Sequence, residues 1–197
     1  MPENKKSVKI VDLLFGYKWE SHEYFRTARE SNLCSSENFL IDANGDKVFQ
    51  YRNIDNVAEI AVIIEHSNGK RYFLFRIDLY GYGVLDLQTL ECFVYIPKEI
   101  ETFIWTNLDY NPANNILVVG GCYWAAPYGT LLLDFSEPMK ETKWADIHAQ
   151  IDNVYYTYDD IDFVRWDEDV LILCAYSDNG KIELSIQKAQ YKNWLKL

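Results

Sequence analysis

Three stretches of this chain carry residue types that could do chemistry. The first is acidic. Asp159, Asp160 and Asp162 lie close together, as do Asp167, Glu168 and Asp169, with Tyr155, Tyr156, Tyr158 and Trp166 among them. Glycoside cleavage uses two carboxyl groups roughly 5 to 9 Å apart across a cleft, and aromatic rings stack on sugars. Adjacent acids in turns are more often solvated punctuation, so the pattern alone is a weak sign of such a site. The second stretch, residues 121–128 (GCYWAAPY), holds Cys122, Tyr123, Trp124, Pro127 and Tyr128. A reactive thiolate needs a nearby His, a cation or a helix N-terminus to lower its pKa. Nothing local supplies one, so Cys122 reads as a core thiol. Exposed, the aromatic residues would form a binding hot spot, because Trp and Tyr dominate interface energetics. Buried, they would seal one end of a sheet stack. Packing is the preferred role, yet this loop is the best single site candidate. The third stretch, Asp42-Ala43-Asn44-Gly45-Asp46, has part of a calcium loop. It lacks the ligand pattern and the closing bidentate Glu, so a hairpin turn is the better reading.

Other chemistries lack their motifs. His22, His66 and His148 sit in three separate segments, with no Cys-x-x-Cys, His-x-His or His-Glu-x-x-His spacing. A zinc site is unsupported, and no cofactor is expected. There is no Gly-x-Ser-x-Gly elbow, no Gly-x-x-x-x-Gly-Lys loop and no Gly-x-Gly-x-x-Gly. Gly81-Tyr82-Gly83 reads as a strand bend. The candidates are therefore Tyr123, Trp124 and Tyr128 of the loop, and Tyr156, Tyr158, Asp160 and Trp166 of the acidic stretch. All are binding candidates; none is given a catalytic role.

The elements that must position these residues read as strands. Residues 116–119 (ILVV) and 130–135 (TLLLDF) are short apolar runs bounded by turn residues. Asn44-Gly45, Asn68-Gly69 and Asn179-Gly180 each separate two apolar runs. Asn-Gly in that setting is the strongest short-range hairpin signal, because both residues tolerate the positive φ of a type I′ turn. Related strand–turn–strand units recur at a spacing of roughly 45 to 60 residues, near that of four-stranded propeller blades. A blade cannot cover both its faces alone, and stacked neighbours bury them. That accounts for strands apolar on every residue, such as ILVV and VLIL. Helix signals are few. Residues 19–31 (WESHEYFRTARES) suit a short helix with Ser21 as N-cap. Residues 143–150 suit one or two turns. The C-terminal KAQYKNWLKL is open between strand and helix, with a closing strand favoured.

Composition sets the outer bounds. At 197 residues the chain is long enough for one domain with a real core, and it is 49% apolar and 16% aromatic. Such a mixture suits half-buried sheets and argues against disorder. The net charge of −11 repels phosphate backbones and anionic membranes and attracts a basic protein. Nucleic acid and membrane are not expected partners. The N-terminus lacks an apolar core for a signal peptide, since Lys9 and Asp12 interrupt it. No membrane span is expected. Cys34, Cys92, Cys122 and Cys174 are scattered in apolar runs. They read as buried free thiols of a cytoplasmic protein.

In residues 121–139 the chain resembles a group of uncharacterised bacterial proteins. These carry a Gly-Cys-Tyr-Trp-Ala-Cys-Pro-Tyr-like segment followed by Asp-Phe-Ser-x-Pro. Here Ala126 stands where a second Cys is expected, and Gly129 where an acidic residue is expected. The resemblance covers about a tenth of the chain clearly and residues 109–186 more diffusely. It implies a β-propeller-like fold and no catalytic residues.

The expectation is an all-β protein of antiparallel meanders, forming a small or incomplete β-propeller-like stack of roughly three to four blades, with a β-sandwich as the alternative. It spans 1–197 as one β-rich domain, with 1–35 a partly helical N-terminal appendage. The expected function is that of a non-enzymatic cytoplasmic interaction domain with an acidic surface. Its partner would be a basic protein, and an immunity protein that neutralises a bacterial toxin is one form of it. A carbohydrate-binding or carbohydrate-acting protein is the alternative. Oligomeric state is left open.

Overall fold

The computed structural model describes residues 4–28, 31–54, 60–96, 103–124, 126, 128–151 and 157–197. The chain is all-β, with 60% strand and 9% helix. Among the described residues the strands form four antiparallel sheets, each built from consecutive strands, and no sheet closes into a barrel. The sheets begin at residues 4, 61, 104 and 160, close to the repeat spacing read from the sequence. Among the described residues no helix is long and apolar enough to cross a membrane.

The chain divides into two compact units. The first comprises residues 1–65 and 70–97. Its first sheet is β1 (Asn4–Asp12), β2 (Lys18–Ala28), β3 (Ser31–Ile41) and β4 (Lys47–Asn53), in that order. Its second is β5 (Ala61–Glu65), β6 (Arg71–Ile77), β7 (Gly81–Asp86) and β8 (Cys92–Tyr95). The inner faces meet at Trp19, Leu40, Tyr51, Ile63, Phe73, Phe75 and Leu85. Aromatic rings dominate this core. Tyr51 and Phe75 have ring centroids 4.2 Å apart, and Trp19 Nε1 donates to the Tyr51 hydroxyl at 3.0 Å. The indole N–H is thus satisfied inside an apolar layer, as burial of a polar group requires. One corner of this face is polar. Ser21 and Asn38 are cross-strand partners, both fully buried. Asn38 Nδ2 donates to Ser36 Oγ, but neither Ser21 Oγ nor Asn38 Oδ1 has a partner among the described residues.

The second unit comprises residues 66–69 and 98–197. One sheet runs β9 (Ile104–Asn111), β10 (Ile116–Cys122), β11 (Tyr128–Asp134) and the short β12 (Trp144–Asp146). The other has three strands, β13 (Asp160–Asp167), β14 (Val170–Ser177) and β15 (Gly180–Ile186). One turn of helix, α1 (Ile147–Gln150), follows β12, and α2 (Lys188–Trp194) follows β15. The core here is mainly aliphatic: Ile116, Val118, Leu132, Ile161, Leu171 and Leu173 pack with Tyr191 and Leu195. Ile116, Leu117, Val118 and Val119 are all buried, so β10 sheds water from both faces. The tip at residues 66–69 belongs to this unit. There His66 Nε2 donates to the Phe135 carbonyl at 2.8 Å while Nδ1 accepts from Asn68 N.

Several local expectations are corrected. The helix expected over residues 19–31 is not found in its described part: residues 18–28 are strand along their whole length, paired with β1 and β3, and helical geometry in the N-terminal segment is a 3-10 turn at Leu14–Gly16. The pattern has period two, with Trp19 and Ser21 buried. Pairing on both sides and burial of Trp19 outweigh the cap signal, and Ser21 caps nothing. The C-terminus is a helix, not a closing strand. Gln187 and Gln190 form a capping box, and Tyr191 and Leu195, four residues apart, bury on one face. Hairpins form at all three Asn-Gly sites, but only the glycines take positive φ. In the turn at Asp42, the Gly45 N–H bonds the Asp42 carbonyl at 3.0 Å, and Gly45 has φ 91°. That is the three-residue hairpin with a left-handed glycine, not type I′. Asp42 Oδ1 also accepts from Asn44 N and Asp46 N at 2.9 Å, and these N–H donors hold its carboxyl below the usual range. The four cysteines are free, but Cys92 is exposed and the others are half-buried. Cys92 and Cys174 reach the surface because they take outward positions of their strands.

Candidate functional site

The aromatic loop between β10 and β11 is split in its role. Tyr123 is half-buried and sits edge-on to Phe103, with ring centroids 5.2 Å apart. Trp124 is 71% exposed and Tyr128 is 50% exposed. The sealing role is therefore corrected for Trp124 and Tyr128, whose rings face solvent, while Tyr123 packs. The Ala125 and Pro127 positions lie outside the described residues.

The start of β11 is lashed to the start of β13. Tyr128 N donates to Asp160 Oδ1 at 2.7 Å, and the Thr130 hydroxyl donates to the Ile161 carbonyl at 3.1 Å. These bonds bring Tyr128 beside the acids although 32 residues separate it from Asp160. Along β13, side chains alternate between faces, so Asp160 and Asp162 point the same way. Tyr176 stands opposite Asp160, and Cys174 opposite Asp162. Tyr176 is 37% exposed. Burial, helped by the charge of Asp160, pushes the Asp162 carboxyl above its usual range. The neighbouring Cys174 thiol, then burial and the two acids, push the Tyr176 phenol upward. The result is a face of two carboxylates with the exposed Tyr176 phenol opposite Asp160 and the Tyr128 backbone bonded to it.

His148 lies behind this face. Its backbone N–H donates to Asp146 Oδ1 at 2.9 Å, which caps α1. The ring occupies the space a side chain would take at Gly129, where a Cβ would come within 2.6 Å of Nδ1. Any larger residue at position 129 would displace the imidazole. Burial pushes the His148 pKa down, and Asp146 and Asp160 pull it partly back. His148 and Tyr176 were not among the sequence candidates. The alternation of Ala175 and Tyr176 at the end of β14 was a signal for the second, because the apolar run ends there on an outward position.

The other candidates lie elsewhere. Trp166 is at the far end of β13, about 20 Å along the strand from Asp160. Its ring meets Tyr191 edge-on, with centroids 5.7 Å apart, and packs on the core. Its indole N–H faces Asp109, whose carboxyl burial pushes up and the indole draws back down. Trp166 is thus a packing residue and offers no ring for a sugar. Tyr158 packs half-buried against the same core. Tyr156 lies outside the described residues. Burial pushes the Cys122 thiol up, the opposite of what a nucleophile needs. Among the described residues, no group of three or more His, Cys, Asp or Glu side chains converges to hold a metal ion.

Comparison with family models, with curated proteins and with solved structures finds no match.

Proposed function

We propose that this chain is a non-enzymatic interaction domain that holds a basic protein at the face formed by Trp124, Tyr128, Asp160, Asp162 and Tyr176. The single observation behind this reading is the bond from Tyr128 N to Asp160, which sets an exposed aromatic residue beside the carboxylate pair. Carboxylates attract Lys and Arg, and aromatic faces take the same cations by cation–π contact. The net charge of −11 would steer such a partner over longer distances. A bacterial, cytoplasmic immunity protein that masks a basic toxin is its concrete form. The likeness of residues 121–139 to the bacterial group belongs to the same proposal. The test is co-purification from source cells with the wild type and with the double variant Trp124→Ala/Asp160→Asn. A basic partner retained at low salt, released as salt rises and lost with the variant supports the reading. Absence of such a partner, or equal retention by the variant, overturns it.

One observation favours a second reading, carbohydrate binding. Asp160 and Asp162 lie on one face beside the exposed Tyr176 ring, an arrangement that suits hydrogen bonding to sugar hydroxyls with stacking. Chemical-shift changes at Tyr176 on titration with neutral oligosaccharides, abolished in Asp162→Asn, would favour it over the first. No change would remove it.

A further inference from the structure

Three of the four sheets have four strands, and the sheet β13–β14–β15 has three. Its edge strands are β13 and β15, and residues 180–183 of β15 are all exposed. Ser177 pairs with Gly180 across a two-residue turn, and Ala175 with Ile182. The Tyr176 carbonyl meanwhile bonds toward β13, accepting from Asp159 N at 2.8 Å. Since backbone groups alternate along an antiparallel strand, Gly180, Ile182, Leu184 and Ile186 turn theirs toward β14. Lys181, Glu183 and Ser185 turn theirs outward. Among the described residues nothing bonds that outer edge.

We propose that β15 pairs antiparallel with β15 of a second copy of this chain, on a two-fold axis through Ile182. Three strands from each copy then make one continuous sheet. Charge selects the register. A two-fold through Glu183 sets Glu183 against Glu183, and one through Lys181 sets Lys181 against Lys181; like charges directly opposite are unfavourable. The two-fold through Ile182 sets Lys181 of each copy against Glu183 of the other, twice. In that register the facing residues are those whose N–H and C=O groups point outward, so the backbone ladder and the charges agree. Ile182, 49% exposed at the rim of an apolar face that includes Leu184 and Ile186, meets its own copy and gains cover. Among the described residues Lys181 has no ion-pair partner. Glu183 is held from the side by Arg165, Nη1 at 3.0 Å and Nη2 at 3.3 Å, which fixes its carboxylate near the edge. The interface is short and each copy carries −11, so the dimer is weak and forms at high protein concentration. It does not rest on the basic partner proposed above, although Lys181 lies opposite Tyr176 on the same sheet face.

The experiment is sedimentation equilibrium over a wide protein concentration range, with circular dichroism to show that each variant keeps its sheets. Wild type is expected to shift from monomer toward dimer as concentration rises. Lys181→Glu alone and Glu183→Lys alone each turn two attractive pairs into two repulsive ones and lower association about tenfold. The double variant Lys181→Glu/Glu183→Lys recreates unlike pairs and restores it. A protein monomeric at every concentration overturns the proposal. So does a dimer unaffected by the single reversals, or one that the double variant fails to rescue.

Discussion

Each unit fastens a turn with a lysine–aspartate pair, and the two pairs are nearly equal in length. Lys70 Nζ lies 2.7 Å from Asp86 Oδ2 in the first unit, and Lys188 Nζ lies 2.8 Å from Asp169 Oδ2 in the second. Their surroundings differ. The Asp86 side chain is 3% exposed and that of Asp169 is 45% exposed. Asp86 Oδ1 also accepts from Gln88 N at 2.9 Å and Thr89 N at 3.3 Å, so it holds the β7–β8 turn as well as the lysine. Burial by itself would raise the Asp86 pKa. The lysine and the two N–H donors outweigh it and hold the carboxyl below the usual range. Asp169 is an exposed link between the β13–β14 turn and α2, where water competes for both charges. Distance therefore says little about what an ion pair does; desolvation and the number of converging donors decide it.

The largest effect expected from a single change lies in the second unit, but not at its ion pair. Tyr191 is fully buried, meets Trp166 edge-on, and its hydroxyl accepts from Asn114 Nδ2 and donates to the Asp169 carbonyl, each at 3.0 Å. Tyr191→Ala removes a buried aromatic ring and is expected to cost about 3–5 kcal/mol in urea unfolding. In the first unit, Asp86→Ala should cost about 1.5–3 kcal/mol, because the buried carboxylate is the shared acceptor of Lys70 and of two turn N–H groups. Asp169→Ala should cost less than about 1 kcal/mol. Equal losses at Asp86 and Asp169 would break the comparison between them.

Acid titration sharpens the same contrast. A carboxyl with a depressed folded-state pKa adds stability above its unfolded value and loses it as pH falls through the folded value. Asp86 should therefore weaken the first unit only below about pH 4. In Asp86→Asn that part of the pH dependence disappears. The smallest effects are at Ser21 and Trp124. The Ser21 hydroxyl is buried without a partner, so Ser21→Ala should leave stability within about 0.5 kcal/mol of wild type or raise it. Trp124→Ala should be equally neutral by thermal melting, because the ring is in solvent, while weakening capture of a basic partner. A marked loss of stability in Trp124→Ala would return the loop to a packing role.

The strands that were legible in the chain share one property: their patterns leave a single way to exclude water. ILVV and VLIL are apolar on every residue, which demands cover on both faces, and the turns between runs carry glycine where the backbone needs positive φ. The four-sheet organisation and its spacing follow from those local signals. The candidate face was only half legible. Asp160, Trp124 and Tyr128 were visible as residue types, but the bond joining Tyr128 to Asp160 spans two sheets and has no trace in local spacing. Trp166 looked like a partner of the acids because it is near them in sequence. A strand carries such neighbours apart at about 3.3 Å per residue, and this one ends in the core.

Sequence alone determined the all-β class, the hairpin positions, the acidic charge and the strands buried on both sides, because each depends on residues close together in the chain. Tertiary structure alone decided the state of residues 18–28 and of the C-terminal segment. In the first, two neighbouring strands and a buried Trp19 override a cap signal. In the second, Tyr191 finds its hydrogen-bond partners only in the folded unit. It also decided which aromatic rings meet solvent. A tryptophan's burial is set by what packs against it, and that information lies in distant parts of the chain.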